Sequence, residues 1–178
     1  MPSFYITSFR SACGEDELFF ISHQEEKRVV GYSTDQEPFV KEFEFDRPGN
    51  KTSHLAVSPE YIVAVAKSSL IFYNRVTQKT VVHTLGRQPG QVHFDNTNCL
   101  LVSSVGFIKK YRIKNVVDDP VELWCCDVNN SPCSVTTMEN GLVIAAHKDA
   151  LYVISEQGKL LLFTHNTSRS KLSQQLVP

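Results

Sequence analysis

The sequence predicts an all-β chain of repeated four-stranded antiparallel sheets, and three observations predict it. Its apolar runs are only four to six residues long, rich in Val, Ile, Phe and Tyr, and separated by Gly, Pro, Asn and Ser, the composition of short strands and their turns. No window sustains apolar residues at i, i+3, i+4 and i+7 over the length a helix needs. The third observation is an internal repeat. A four-strand meander returning about every 40 residues is the sequence form of a propeller blade. The expected architecture is therefore β-propeller-like, with about four blades at residues 3–46, 53–86, 91–127 and 132–165, then a polar tail at 166–178.

The first repeat is the loosest, with candidate strands Phe4-Tyr5-Ile6, Leu18-Phe19-Phe20-Ile21, Arg28-Val29-Val30-Gly31-Tyr32 and residues 39–45. The last of these alternates apolar and polar residues, the period of a half-buried strand. The intervening segment 10–17 reads as a loop.

In the second repeat, residues 55–66 read as two short strands around a turn. Leu70-Ile71-Phe72-Tyr73 gives the third strand and residues 80–85 the fourth. Shifted by 37 positions, the same order returns in Val92-His93-Phe94, Cys99-Leu100-Leu101-Val102, Phe107-Ile108-Lys109-Lys110-Tyr111 and Pro120-Val121-Glu122-Leu123-Trp124. Shifted by a further 44, it returns in residues 134–138, 142–146, 151–154 and 160–163. Gapless over three strands, these offsets align Val57 with Phe94 and Met138, Val63 with Leu100 and Ile144, Val65 with Val102 and Ala146, and Leu70 with Phe107 and Leu151. The nearly continuous apolar runs at 62–66 and 142–146 suit strands covered on both faces. The tail at 166–178 reads either as disordered or as a strand pairing with the first blade.

The run Gly86-Arg87-Gln88-Pro89-Gly90-Gln91-Val92-His93-Phe94-Asp95, with Leu100-Leu101-Val102-Ser103 and Phe107-Ile108-Lys109-Lys110-Tyr111 after it, resembles a blade of NHL-type propellers. Arg47-Pro48-Gly49 echoes the same turn one repeat earlier. Ser103-Ser104-Val105-Gly106 stands where that family usually has an Asp and an Asn. Trp124 precedes Cys125 rather than the Asp of a WD repeat. What the resemblance implies is an interaction platform, since NHL and WD-repeat propellers mostly serve as such. Several NHL proteins of the tripartite-motif group bind RNA or ubiquitylation substrates.

Hydrophobic residues at 42% and charged residues at 21% describe a globular chain. A formal net charge of -1 gives no global attraction to a polyanion. The first ten residues lack a basic segment followed by an apolar one, so no signal peptide is expected. No stretch approaches the about 18 apolar residues of a membrane-spanning helix. Five irregularly spaced cysteines do not form a secreted disulfide framework. A reducing, cytoplasmic location is expected, and the sequons at Asn50, Asn129 and Asn166 read as chance matches.

The densest basic cluster is Lys109, Lys110, Tyr111, Arg112 and Lys114, with Phe107 and Tyr111 interleaved. It has two readings, a phosphate-and-stacking patch for RNA or a protein partner, and a solvated blade edge guarded by lysines. Strand alternation puts Lys109 and Tyr111 on one face, Lys110 and Arg112 on the other.

The histidines His54, His83, His93, His147 and His165 sit in or beside strands. Because His54 and His93 fall in different columns, they read as hydrogen-bonded strand-end residues rather than a metal ring. Cys125 and Cys126 are adjacent and so face opposite ways, which with Cys133 reads as structural thiols rather than a zinc or redox site. Glu15-Asp16-Glu17 and Asp118-Asp119 read as solvated loops. No nucleophile elbow, phosphate-binding loop or zinc-hydrolase motif occurs. The expectation is a non-catalytic scaffold without cofactor or metal, binding a protein partner through its loops. The alternative is an RNA-binding module. A homodimer, or completion of the ring by another chain, is expected from the blade number.

Overall fold

The computed structural model describes residues 14–15, 18–23, 28–33, 41–46, 52–87, 89–114, 120–128, 134–147, 150–166 and 172–176. Among them are seventeen strands and no helix, and hence none long and apolar enough to cross a membrane. The first sheet holds β1 (Gly14–Glu15), β2 (Leu18–His23), β3 (Arg28–Ser33) and β4 (Lys41–Asp46). The second holds β5 (Thr52–Val57), β6 (Tyr61–Ala66), β7 (Ser69–Asn74) and β8 (Thr80–Thr84). In the third are β9 (Pro89–Phe94), β10 (Cys99–Ser104), β11 (Phe107–Arg112) and β12 (Val121–Asp127). The fourth contains β13 (Ser134–Thr137), β14 (Val143–His147), β15 (Ala150–Ile154), β16 (Leu160–Asn166) and β17 (Leu172–Leu176). Every sheet is antiparallel, and within each sheet the strands pair in sequence order.

The chain divides into two compact units, Met1–Gly86 with the first two sheets and Arg87–Pro178 with the last two. Each unit has its own core. In the first, Val29 of β3 packs with Leu55, Val57, Ile62, Ala64, Ala66, Ile71 and Tyr73 of the second sheet. In the second, Leu101, Ile108, Cys126 and Val128 of the third sheet meet Val135, Val143, Ala145, Ala150, Tyr152 and Ile154 of the fourth. Burying each large apolar side chain contributes about 1.5–3 kcal/mol, so these two layers are the main source of stability. β6 is buried at all six positions, which explains its unbroken apolar run, whereas β8 alternates between exposed and half-buried as an outer strand does.

Turns set the registers. Ala66 pairs with Ser69, and Ser104 with Phe107, leaving two-residue hairpins in each of which one loop residue, Lys67 (φ 53°) or Gly106 (φ 86°), takes the left-handed backbone. In the third sheet, Asp95 Oδ1 accepts from the backbone N–H of Thr97 (2.8 Å), the Thr97 hydroxyl (2.7 Å) and the backbone N–H of Cys99 (2.9 Å). That side-chain-capped turn is one residue longer than its counterpart in the second sheet, where Val57 pairs with Ile62 and Tyr61 N–H donates to Ser58 Oγ.

The longer turn corrects the gapless alignment of the repeats. The first strands of the second and third sheets are offset by 37 residues, but the extra residue makes the offset 38 for the next two strands. Between the third and fourth sheets the offset is 43 throughout, not 44. The true columns are therefore Ile62, Leu100 and Val143; Ala64, Val102 and Ala145; Val63, Leu101 and Ile144; Leu70, Ile108 and Leu151; Ile71, Lys109 and Tyr152; Phe72, Lys110 and Val153.

Two further expectations change. The tail strand β17 pairs with β16 of the fourth sheet, not with the first sheet, because the open edge of β16 lies only five residues back along the chain. Gly14 and Glu15, read from sequence as loop, pair with Phe19 and Leu18 as β1. The expected strand Phe4-Tyr5-Ile6 lies outside the described residues, as do Asp16, Glu17, Asp118, Asp119, Cys13 and Cys133.

Candidate functional site

The basic cluster is split by the pleat of β11. Lys109 Nζ lies 2.6 Å from Glu122 Oε2 and 5.2 Å from the centre of the Phe107 ring. The Glu122 carboxylate holds the Lys109 ammonium above its usual range. Tyr111, on the same side of the strand, is buried, and that burial pushes its phenol up. On the other face, Lys110 is buried, its Nζ 2.6 Å from Asp95 Oδ2, with the two side chains only 7% and 5% exposed. Arg112 and Lys114 are exposed. Two of the three basic residues in β11 are thus each held by a carboxylate.

Both lysines occupy columns that are apolar in the preceding and succeeding repeats: Ile71 and Tyr152 correspond to Lys109, Phe72 and Val153 to Lys110. A cation in a core column requires a fixed counter-charge, and Asp95 supplies it. Burial works against the Asp95 carboxylate most strongly. The Lys110 ammonium, the Thr97 hydroxyl and the backbone N–H groups of Cys99 and Thr97 together outweigh it and hold Asp95 below the usual carboxylate range.

Lys110 and Arg112 line the turn end of the second unit, where the β9–β10, β13–β14 and β15–β16 turns come together. One pocket of about 250 Å³ is bounded by Asp95, Thr97, Lys110, Met138, Glu139 and Glu156 among others. A second, of about 440 Å³, lies between Thr97, Lys110, Arg112, Leu123, Trp124 and Glu156. They share Thr97, Lys110 and Glu156 and form one groove. At its margin Met138 is 48% exposed and Leu123 37%. Leu123 is the extra residue of a bulge in β12, since Lys110 pairs with Trp124 and Tyr111 with Glu122; a bulge re-aims side chains at a sheet rim.

The groove floor is latched across the two sheets. Trp124 Nε1–H donates to the carbonyl of Glu156 at 2.8 Å. Its indole lies against Gly158, where a Cβ would meet Trp124 Cγ at 2.6 Å, and where φ is +83°. Only glycine meets both demands. Deeper in, Gln91 Oε1 accepts from Val135 N–H (2.7 Å), and His93 Nε2 lies 3.3 Å from Thr137 Oγ1, tying β9 to β13. Burial lowers the pKa of His93, only partly opposed by Asp95.

The rest of the chemistry-bearing residues stay apart. No group of three or more His, Cys, Asp or Glu that would hold a metal forms among the described residues. Cys125 is exposed and Cys126 buried, on opposite faces of β12, and burial pushes the Cys126 thiol up to about 11. The side chain of His165 is outside the described residues.

Sequence reasoning found Lys110 and Arg112 but not their companions. Asp95-Asn96-Thr97-Asn98 was the available signal for the turn, and Gly158 for a close approach. That Trp124 reaches Glu156, 32 residues away, has no local signal.

No family model matches the chain, and no curated protein matches it. Solved structures do. The computationally designed protein Ika8 superposes with a TM-score of 0.68 at 12% identity, over 94% of this chain and 57% of that one. Sqt1 from Chaetomium thermophilum gives 0.67 at 14% identity, over 83% of this chain and 42% of that one. This chain shares their fold and spans about half the length of each.

Proposed function

We propose that the chain is a non-catalytic, β-propeller-type interaction scaffold that holds a segment of a partner protein in the turn-end groove of its second unit. The groove is the observation that carries this reading. It combines a cation (Arg112), carboxylates (Glu139 and Glu156) and exposed apolar side chains (Met138 and Leu123) on turns held in place by the Asp95–Lys110 pair and the Trp124 latch. Binding groups on turns over a rigid sheet scaffold are the common arrangement for recognition. A rim of mixed charge around apolar anchors suits a peptide better than a polyanion. The propeller-type reading draws support from the sequential strand order, the face-to-face repetition of both cores, the side-chain ties between first strands β9 and β13, and the fold shared with Ika8 and Sqt1.

The alternative, an RNA-binding module, would rest on Arg112 and Lys114, because Lys109 and Lys110 are each engaged by a carboxylate. One experiment separates the readings. Peptides selected from a displayed library on the wild-type chain are titrated against Arg112→Glu and Leu123→Asp, and single-stranded RNA is titrated against the same variants and Lys114→Glu. Peptide affinity should fall at least about tenfold in each groove variant, about 1.4 kcal/mol. Peptides that bind the variants equally well overturn the groove. RNA binding abolished by Arg112→Glu and Lys114→Glu, without any peptide binding, establishes the alternative.

A further inference from the structure

The third and fourth sheets share one plan, and the fourth carries a strand that the third lacks. Ile108, Lys109 and Lys110 of β11 pair with Cys126, Cys125 and Trp124 of β12. Leu151, Tyr152 and Val153 of β15 stand in the same columns and pair with Thr164, Phe163 and Leu162 of β16. Residues 124–127 therefore correspond to 162–165. On its outer side β16 takes a fifth strand, β17, which pairs antiparallel with residues 162–166. β12 ends its sheet, and no described strand pairs with its outer side.

The backbone of β12 leaves bonding groups on that side. Val128 N–H donates to the carbonyl of Gly106 at 2.9 Å, which makes Gly106 and Val128 a hydrogen-bonded pair. Such pairs alternate along an antiparallel ladder. Cys126 and Trp124 thus bond to β11, while the N–H and C=O groups of Cys125 and Asp127 point outward. An edge of this kind pairs unselectively unless charge or a bulge guards it. β12 has both, with Glu122 and Asp127 as exposed acids and Leu123 as the bulge. Lys109, Glu122 and Asp127 surround Cys125: burial pushes its thiol up, Lys109 opposes this, and the two carboxylates add to it. That face therefore holds one carboxylate more than it holds cations. Leu123 and Trp124 border the groove on the opposite face.

We propose that the partner segment held by the groove adds to β12 as a fifth strand, antiparallel as β17 is to β16, and reads basic, any residue, basic, apolar from its N-terminal end. This rests on the groove reading above. The pattern follows from the columns. Residues of the segment opposite Asp127 and Cys125 share the acidic face, where opposite charges across a strand pair attract. Those opposite Cys126 and Trp124 share the groove face. The residue opposite Trp124 takes the place that Leu176 holds opposite Leu162, and it meets the apolar margin of the groove at Leu123. Main-chain bonds to Cys125 and Asp127 supply affinity, and the alternating side chains supply selectivity. The acids that deter other strand edges attract this one.

The test is a fluorescently labelled peptide, acetyl-Thr-Arg-Val-Arg-Leu-Thr-amide, titrated against the full chain by fluorescence anisotropy. It should bind the wild type, and Asp127→Lys should weaken it about tenfold without changing the far-ultraviolet circular dichroism. Two N-methylated peptides decide the matter on the wild-type chain should that variant fail to fold. Methylating the amide of the second arginine, whose N–H faces Cys125, should abolish binding. Methylating the amide of the valine, whose N–H points away from β12, should change affinity less than about twofold. Equal losses from the two methylations, affinity unchanged in Asp127→Lys, or no binding up to about 1 mM overturns the added strand. The two readings fail separately. Library-selected peptides that weaken in Arg112→Glu, while this peptide does not bind, retain the groove and overturn the strand. Binding of this peptide with the expected methylation pattern, while selected peptides ignore Arg112→Glu, retains the strand and overturns the groove.

Discussion

Replacing Lys110 by methionine removes a cation from one of the most enclosed ion pairs among the described residues, and the consequence for stability comes from its surroundings. The Lys110 ammonium lies 2.6 Å from Asp95 Oδ2, and both side chains are almost entirely shielded from water. Methionine fits the space, since the same column holds Phe72 and Val153 in the repeats before and after it along the chain. What the substitution leaves behind is a buried carboxylate whose strongest local penalty is its burial. Orphaning one partner of a buried pair costs about 3–5 kcal/mol. Three hydrogen bonds remain, from the Thr97 hydroxyl and the N–H groups of Thr97 and Cys99, so the loss should lie near the lower end, about 3 kcal/mol.

Adding Asp95→Asn removes the orphaned charge while an amide oxygen still caps the turn. The double variant should therefore regain about 2 kcal/mol over the sum of the single losses. Urea unfolding of the four proteins, with linear extrapolation, closes the cycle. The acid limb gives a second reading. Asp95 is held below its unfolded value of 3.8, so its contribution is present above that pH and lost as pH falls through the lower folded value. In Lys110→Met burial is no longer outweighed, so the folded carboxyl should titrate above its unfolded value and the variant should regain stability, relative to wild type, as pH falls through that range. A Lys110→Met protein within about 0.5 kcal/mol of wild type, or strictly additive single losses, would refute the reasoning.

Gly158→Ala should cost about 2–4 kcal/mol and shift the emission of the only tryptophan, whereas Gly106→Ala, with similar φ but nothing within 4 Å of the new Cβ, should cost only about 1–2 kcal/mol for its backbone. His93 has its pKa lowered by burial, so its contribution is present above its unfolded value of 6.5 and lost as pH falls through the lower folded one; His93→Gln should flatten the stability profile between neutrality and about pH 5. Iodoacetamide should modify exposed Cys125 in the native state at least about tenfold faster than buried Cys126, and equal rates would contradict the alternation of β12.

Strand positions were legible because they depend on short-range apolar pattern and turn chemistry. The second, third and fourth repeats fall close to their observed strands, and the split of Lys109 from Lys110 comes from the strand period alone. The registers were less legible. A gapless offset keeps apolar residues in line with apolar residues even when one column off, and the five-residue turn capped by Asp95 fixes the count between the second and third sheets. The counter-charges lay beyond reach for a different reason. Asp95 meets Lys110 through strand pairing, and Trp124 meets Glu156 through sheet stacking, and neither has a sequence period. The partner of β17 was hidden because Leu172-Ser173-Gln174-Gln175-Leu176 carries no apolar run to mark a strand or its neighbour.

All four sheets are meanders in which each strand bonds only to the strands before and after it along the chain. A residue gained or lost in one turn therefore has nowhere to travel. The added residue of the β9–β10 turn displaces the numbering of every later strand and disturbs no distant pairing. Such an architecture accepts single-residue drift at every hairpin and asks of most positions only that an apolar column stay apolar. Its geometry can be inherited, or arrived at by design, long after the letters have diverged: likeness at TM-scores of 0.68 and 0.67 persists here with 12% and 14% identity.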